Sequence, residues 1–171
     1  MLVEKEAKLS IQIQPGDMHH FLVQQNYRHF SGLFGVLCSV VAVIYLLLTF
    51  RTNEPSKNII LLLIGALFLV VQPLQLKLAS VQKVKAIPMF KEPLEYTLNK
   101  EGIKVEQKDE EAQITWEDVR NVIETKKSIF VYTSPVSAFI FPKAQYQEQV
   151  GIVKDVIKQH VKEDKCKWKK K

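Results

Sequence analysis

From Arg28 to Arg51, and again from Lys57 to Lys77, no formally charged residue interrupts the chain. Each stretch is about 20 residues, long enough for a helix to cross a roughly 30 Å hydrocarbon core. Apolar positions run around the whole helix in both, without the polar stripe of a soluble core helix. The pattern predicts transmembrane helices over residues 31–50 and 59–76. Gln72, Pro73 and Gln75 fall near the end of the second, where a kink or headgroups would satisfy the backbone. The connection over 51–58 is short and contains Pro55 and two asparagines, so the helices form an antiparallel hairpin. Both flanks of the chain are then expected on one side of the bilayer.

Outside these spans the period changes. Leu9, Ile11 and Ile13 alternate with Ser10, Gln12 and Gln14, a short strand closed by Pro15-Gly16. Asp17 would cap a juxtamembrane helix completing the N-terminal segment 1–30. Residues 77–93 read as a helical continuation stopped by Pro88, then a linker. From residue 94 short alternating runs predict strands over 94–99, 103–107, 113–116, 121–125, 128–133 and 137–141. The charged run 108–111 reads as a hairpin tip or loop. Tyr146, Val150, Val153, Ile157 and Val161 then recur at helical spacing and predict a helix over 144–162 that needs a sheet to cover its apolar side. The fold class is a membrane α-helical hairpin plus an α+β cytoplasmic domain over 94–162. Its antiparallel sheet, capped by a C-terminal helix, has the element order of a pleckstrin-homology-like domain. The pattern leaves open whether the N-terminal strand joins that sheet.

Composition adds orientation. The 171 residues carry Lys+Arg 24 against Asp+Glu 18, a formal charge of +6. Arg28, Lys77, Lys83, Lys85 and Lys91 flank the hairpin, against Arg51 and Lys57 in its connection. That bias predicts a multi-pass cell-membrane protein with both termini in the cytoplasm. No apolar run precedes Arg28, so no cleavable signal peptide is expected. Cys38 lies within the first predicted span and Cys166 near the C-terminus, so they are not expected to pair, which suits a reducing cytosolic face. Lys83 and Lys85 would reach anionic headgroups, as would Lys167, Trp168, Lys169 and Lys170 in the Lys-rich tail 163–171. A solvated tail is the bland alternative. Ser31, Gly35 and Ser39 put small side chains on one face of the first helix. That face would meet the second helix of the hairpin, a homodimer partner, or a transporter or other complex to which the chain is an accessory subunit.

Chemistry-bearing patterns are missing. His19 and His20 are adjacent and point apart on a helix, and no Cys or carboxylate stands at ligand spacing beside them. There is no glycine-rich phosphate loop, and Ser134 and Ser137 have no His near them in sequence. No catalytic residue, cofactor or metal is therefore expected, and the protein reads as no enzyme. Apart from the tail the non-membrane part is nearly charge-balanced, which argues against nucleic acid as partner. The expected partners are the lipid bilayer and a protein of unknown identity.

Several blocks of the C-terminal half carry a resemblance. They are Leu94-Glu95-Tyr96-Thr97-Leu98, Glu101-Gly102-Ile103-Lys104-Val105, Ile114-Thr115-Trp116-Glu117-Asp118-Val119, Val122-Ile123-Glu124 and Ala138-Phe139-Ile140-Phe141-Pro142-Lys143. Together with two membrane helices upstream, they resemble the YcxB-like family of small bacterial membrane proteins. The resemblance implies a hairpin anchor and a cytoplasm-facing domain similar to bacterial pleckstrin-homology modules. It implies no catalytic residue and no ligand. From the residues themselves, Trp116 should pack between sheet and helix with its indole N–H on a backbone carbonyl. Glu117, Asp118, Phe139, Pro142 and Lys143 read as fold-building positions rather than a site.

Overall fold

A computed structural model describes residues 6–28, 30–108 and 110–169, with the backbone alone at Phe30 and Ser31. The chain divides into two compact units, Met1–Met18 with Val84–Lys171, and His19–Lys83. The first, the head, is built from two stretches of sequence with the second unit inserted between them.

The inserted unit is helical. α1 (Pro15–Arg28) leads into α2 (Phe30–Thr49), and a short turn leads to α3 (Pro55–Ala66). Asparagines stitch that turn: Asn58 Nδ2 donates to Phe50 O (2.9 Å) and Asn53 Nδ2 to Thr49 Oγ1 (2.6 Å). The second long helix starts at Pro55, four residues earlier than the apolar run suggested, because proline at the first helical position gives up no hydrogen bond. It continues through a π-helical segment, Leu67–Val71, into α4 (Gln72–Ala86). Pro73 explains the π turn: it has no N–H, and its ring would press on the carbonyl of Leu69 in a regular helix. Widening the turn removes that clash, and Gln72 N–H reaches Leu67 O instead. The Gly32–Thr49 and Pro55–Ala86 helices are each long and apolar enough to cross a membrane. Their outward side chains stay bare, with Leu47 at 75% and Leu48 at 79% exposed.

The helices meet through small residues. A Cβ at Gly35 would fall on the Phe68 ring, and one at Gly65 would lie 2.6 Å from Val43 Cγ2. Ser39 is fully buried and donates its hydroxyl to Ile64 O at 2.8 Å. Ser31 lies in α2, but its side chain falls outside the described residues.

The head holds two sheets. Sheet 1 runs in the order β1 (Ala7–Ile11), β2 (Leu94–Leu98), β3 (Gly102–Gln107), β4 (Glu110–Thr115), antiparallel throughout. The N-terminal strand does join: Ala7 faces Leu98 and Ile11 faces Leu94. Its alternation is the reason, since Ala7, Leu9 and Ile11 are buried while Lys8 and Ser10 are exposed. Sheet 2 runs β7 (Ala138–Pro142), β6 (Ser128–Tyr132), β5 (Asn121–Glu124), β8 (Cys166–Lys167), with β5 and β8 parallel. β6 is buried along its whole length, as an interior strand covered on both faces should be. Tyr96 of β2 meets Phe139 and Phe141 of β7 edge-to-face, at centroid distances of 6.1 and 5.1 Å. The C-terminal helix is shorter than its apolar pattern predicted: α5 spans Val150–His160, and two 3₁₀ turns occupy Lys143–Gln145 and Gln147–Gln149. Tyr146 is buried between those turns, with its hydroxyl on Phe141 O at 3.1 Å.

Candidate functional site

β5 ends on Glu124, and its carboxylate gathers the charge of the head. Lys143 follows β7, which leads its ammonium to Glu124 Oε1 (2.6 Å) and Thr125 O (2.8 Å). Lys154, in the second turn of α5, reaches Glu124 Oε2 at 2.9 Å. The backbone N–H of Lys169 donates to the same oxygen at 3.1 Å. The Glu124 side chain is 6% exposed, against 19% for Lys143 and 27% for Lys154. Burial pushes the Glu124 carboxyl upward, but the hydrogen bonds from Lys143, Lys154 and the Lys169 amide outweigh it and hold the group below its ordinary value. Two ammonium groups share one carboxylate, so the centre is left with a positive surplus.

The C-terminal residues close over this end of the sheet. After a 3₁₀ turn at Glu163–Lys165, Cys166 and Lys167 pair with Val122 and Ile123. Lys165 Nζ donates to Val119 O at 2.8 Å. The ammonium groups of Lys154 and Lys158 each stand 5.4 Å from the Trp168 ring centroid, within cation–π range. The Lys-rich segment, for which a solvated tail was the bland alternative, is a strap through residue 169, with Cys166 and Trp168 half-buried among the lysines. Trp168 lies against two lysines of its own head, Lys154 and Lys158. Lys167 and Lys169 are exposed, Lys83 and Lys85 are exposed on α4, and Lys170 lies outside the described residues. A shallow cavity of about 260 Å³ beside the strap is lined by Lys158, Val161, Glu163, Cys166 and Trp168. Burial, then Asp164 and Glu163, pushes the Cys166 thiol up, away from nucleophilic thiolate character.

The motif residues of the resemblance occupy building positions. Trp116 is buried, donates its indole N–H to Asn99 O at 2.8 Å and stacks on His160 of α5 at 5.5 Å. Asp118 caps the 3₁₀ turn Trp116–Asp118, taking bonds from Thr115 N (3.2 Å) and Thr115 Oγ1 (2.9 Å). Glu117 is exposed, Phe139 is half-buried, and Phe141 and Pro142 are buried. Lys143 passes from a fold role into the charged centre, where it meets Glu124, the last residue of the Val122-Ile123-Glu124 block. Glu124 and Lys154 are absent from the sequence-derived candidates, since residues 19 and 30 apart give no spacing signal. Among the described residues no group of three or more His, Cys, Asp or Glu could hold a metal ion.

Residues 98–150 match the family model described as YcxB-like protein, the family that the motif blocks resemble. That segment covers the end of β2 through the first residue of α5, and includes both Glu124 and Lys143. No curated protein and no solved structure matches the chain.

Proposed function

We propose that this protein, whose YcxB-like segment forms about half of the two-sheet head, is a non-catalytic membrane protein presenting a pleckstrin-homology-like interaction module at the cytoplasmic face. One observation carries the reading: β1 and β2 are neighbours in one sheet, yet the whole helical hairpin lies between them in sequence. The chain leaves sheet 1 at Ile11 and rejoins it at Leu94, its direct strand partner. A two-helix excursion that starts and ends at one place suits a hairpin dipped into a bilayer from one side. The bare apolar sides of both long helices suit lipid as their solvent. A four-stranded antiparallel sheet, then three further antiparallel strands and a closing helix, supports the pleckstrin-homology-like description. The positive surplus at Glu124 supports a binding role. The accessory-subunit reading would use the Gly35–Ser39 ridge for docking, but Phe68 and Ile64 already occupy it within the hairpin.

The test is fractionation of cells expressing the full chain with a tag at each end. The protein should stay with membranes through a high-salt wash. Protease should remove both tags from the cytoplasmic side alone. Release by salt would end the membrane assignment, and cleavage from outside would reverse its direction.

A further inference from the structure

We infer that the end of sheet 2 around Glu124 binds the phosphate groups of an anionic lipid surface. β5 and β8 run parallel and deliver their chains to the same end of the sheet. β5 turns there through Lys126 and Lys127, and β8 continues into Trp168 and Lys169. Lys143 N donates to Lys127 O at 2.8 Å, which fixes the end of β7 beside the same turn. α5 adds Lys154 and Lys158 over the Trp168 ring. Six lysines from four parts of the chain are thus brought to the end of the sheet that holds Glu124, and that carboxylate is bound to Lys143 and Lys154.

The remaining four are exposed: Lys126, Lys127, Lys158 and Lys169. Among the described residues none of these four has a carboxylate at ion-pair distance. On the neighbouring helical elements the acidic groups are Glu148 and Asp155, which leaves the balance positive. Glu163 shares the cavity at the strap with Lys158 and Trp168 and counts, with Asp164, on the acidic side; the six lysines still outnumber Glu124, Glu148, Asp155, Glu163 and Asp164. Sheet 1 differs: Lys104 meets Glu106 and Glu111, and Lys108 meets Glu92. Unmatched ammonium groups near an anionic bilayer each raise partitioning roughly fivefold. These four sit on exposed side chains of separate elements rather than around one enclosed cavity, an arrangement that suits many phosphates in a plane better than a single ion. The inference rests on the membrane reading proposed above.

The full chain is placed in nanodiscs of phosphatidylcholine or of phosphatidylglycerol, and lysine acetylation rates are read residue by residue by mass spectrometry. In phosphatidylglycerol, Lys126, Lys127, Lys158 and Lys169 should react at least about fivefold more slowly. Half-molar salt should restore their rates, and Lys100 on sheet 1 should change little. Equal rates in the two discs, or equal slowing of Lys100, overturns the site. Slowing by 10 mM inorganic phosphate in phosphatidylcholine discs, with no further effect of phosphatidylglycerol, overturns the lipid surface in favour of a free anion. A chain that never enters discs instead overturns the membrane reading, so the two failures are distinct.

Discussion

Gly102 shows how much one position controls in the head. Its φ is +151°, and a Cβ there would run into the Ile114 carbonyl of the neighbouring strand. Asn99 Oδ1 accepts from the N–H groups of Glu101 (2.9 Å) and Gly102 (3.2 Å), which closes the β2–β3 turn. Gly102→Ala should therefore destabilise the protein by about 1–3 kcal/mol, read as a lower Tm in detergent. Glu124 is a different kind of control point. Glu124→Gln leaves two lysines without their carboxylate; a fully buried pair broken this way loses about 3–5 kcal/mol, and the partial exposure of both lysines lowers that to about 2 kcal/mol. The pH dependence has a definite sign. The folded carboxyl lies below its ordinary value near 4.5, so its stabilisation is complete above that value and is lost as pH falls through the lower folded one. Acid titration should loosen the strap in the native protein, seen as a change in Trp168 emission. In Glu124→Gln that acid step should be missing. The Trp116 indole bond was legible in the sequence because a buried indole N–H needs an acceptor and strands supply carbonyls. The Glu124 centre was not, because its lysines come from separate elements that only the tertiary fold brings together.

At the scale of elements, apolar pattern located both long helices and most strands, but it put Glu110 and Glu111 in a hairpin tip when they open β4, facing Gln107 and Glu106, and it did not show β8. The helix predicted over 144–162 contains Tyr146 in phase with the apolar stripe, yet Tyr146 has φ −143° and sits between two 3₁₀ turns. Burial of its ring satisfies the same hydrophobic demand without helical geometry. The π segment before Pro73 is likewise invisible to hydropathy, since Leu67–Val71 is apolar in either helix type. The α2–α3 contact is decided by Gly35 and Phe68 together. Gly35→Leu should push the helices apart and lower the Tm, and Phe68→Ala in the same chain should recover part of that loss, a coupling that a double-mutant cycle in detergent measures. Two glutamines hold the linkers of the head. Gln107 Nε2 donates to Met89 O at 2.8 Å, and Gln12 Nε2 donates to Lys91 O at 3.0 Å. Gln145 pairs through its side chain with both the N–H and the carbonyl of Gln12, each at 2.9 Å.

For the whole molecule, the pairing of β1 with β2 was beyond the reach of pattern. Alternation identified β1 as a strand, but nothing local marks a partner on the far side of two long apolar helices. Removal of residues 1–13 would uncover the side of β2 that carries Leu94, Tyr96 and Leu98, all buried now. Such a chain should lose protection of 94–171 against limited proteolysis, although the deleted residues lie outside the YcxB-like match. The same arrangement constrains biosynthesis. β1 leaves the ribosome first, and its partner Leu94–Leu98 is not made until both helices have emerged. Its three inward side chains must wait without a mate meanwhile. Closing so long a loop in free solution carries an entropic cost that grows with length, whereas a hairpin already seated in lipid brings the two ends together beforehand. Under the membrane reading proposed above, insertion is a step in folding the head, and a block in insertion should leave sheet 1 unfinished.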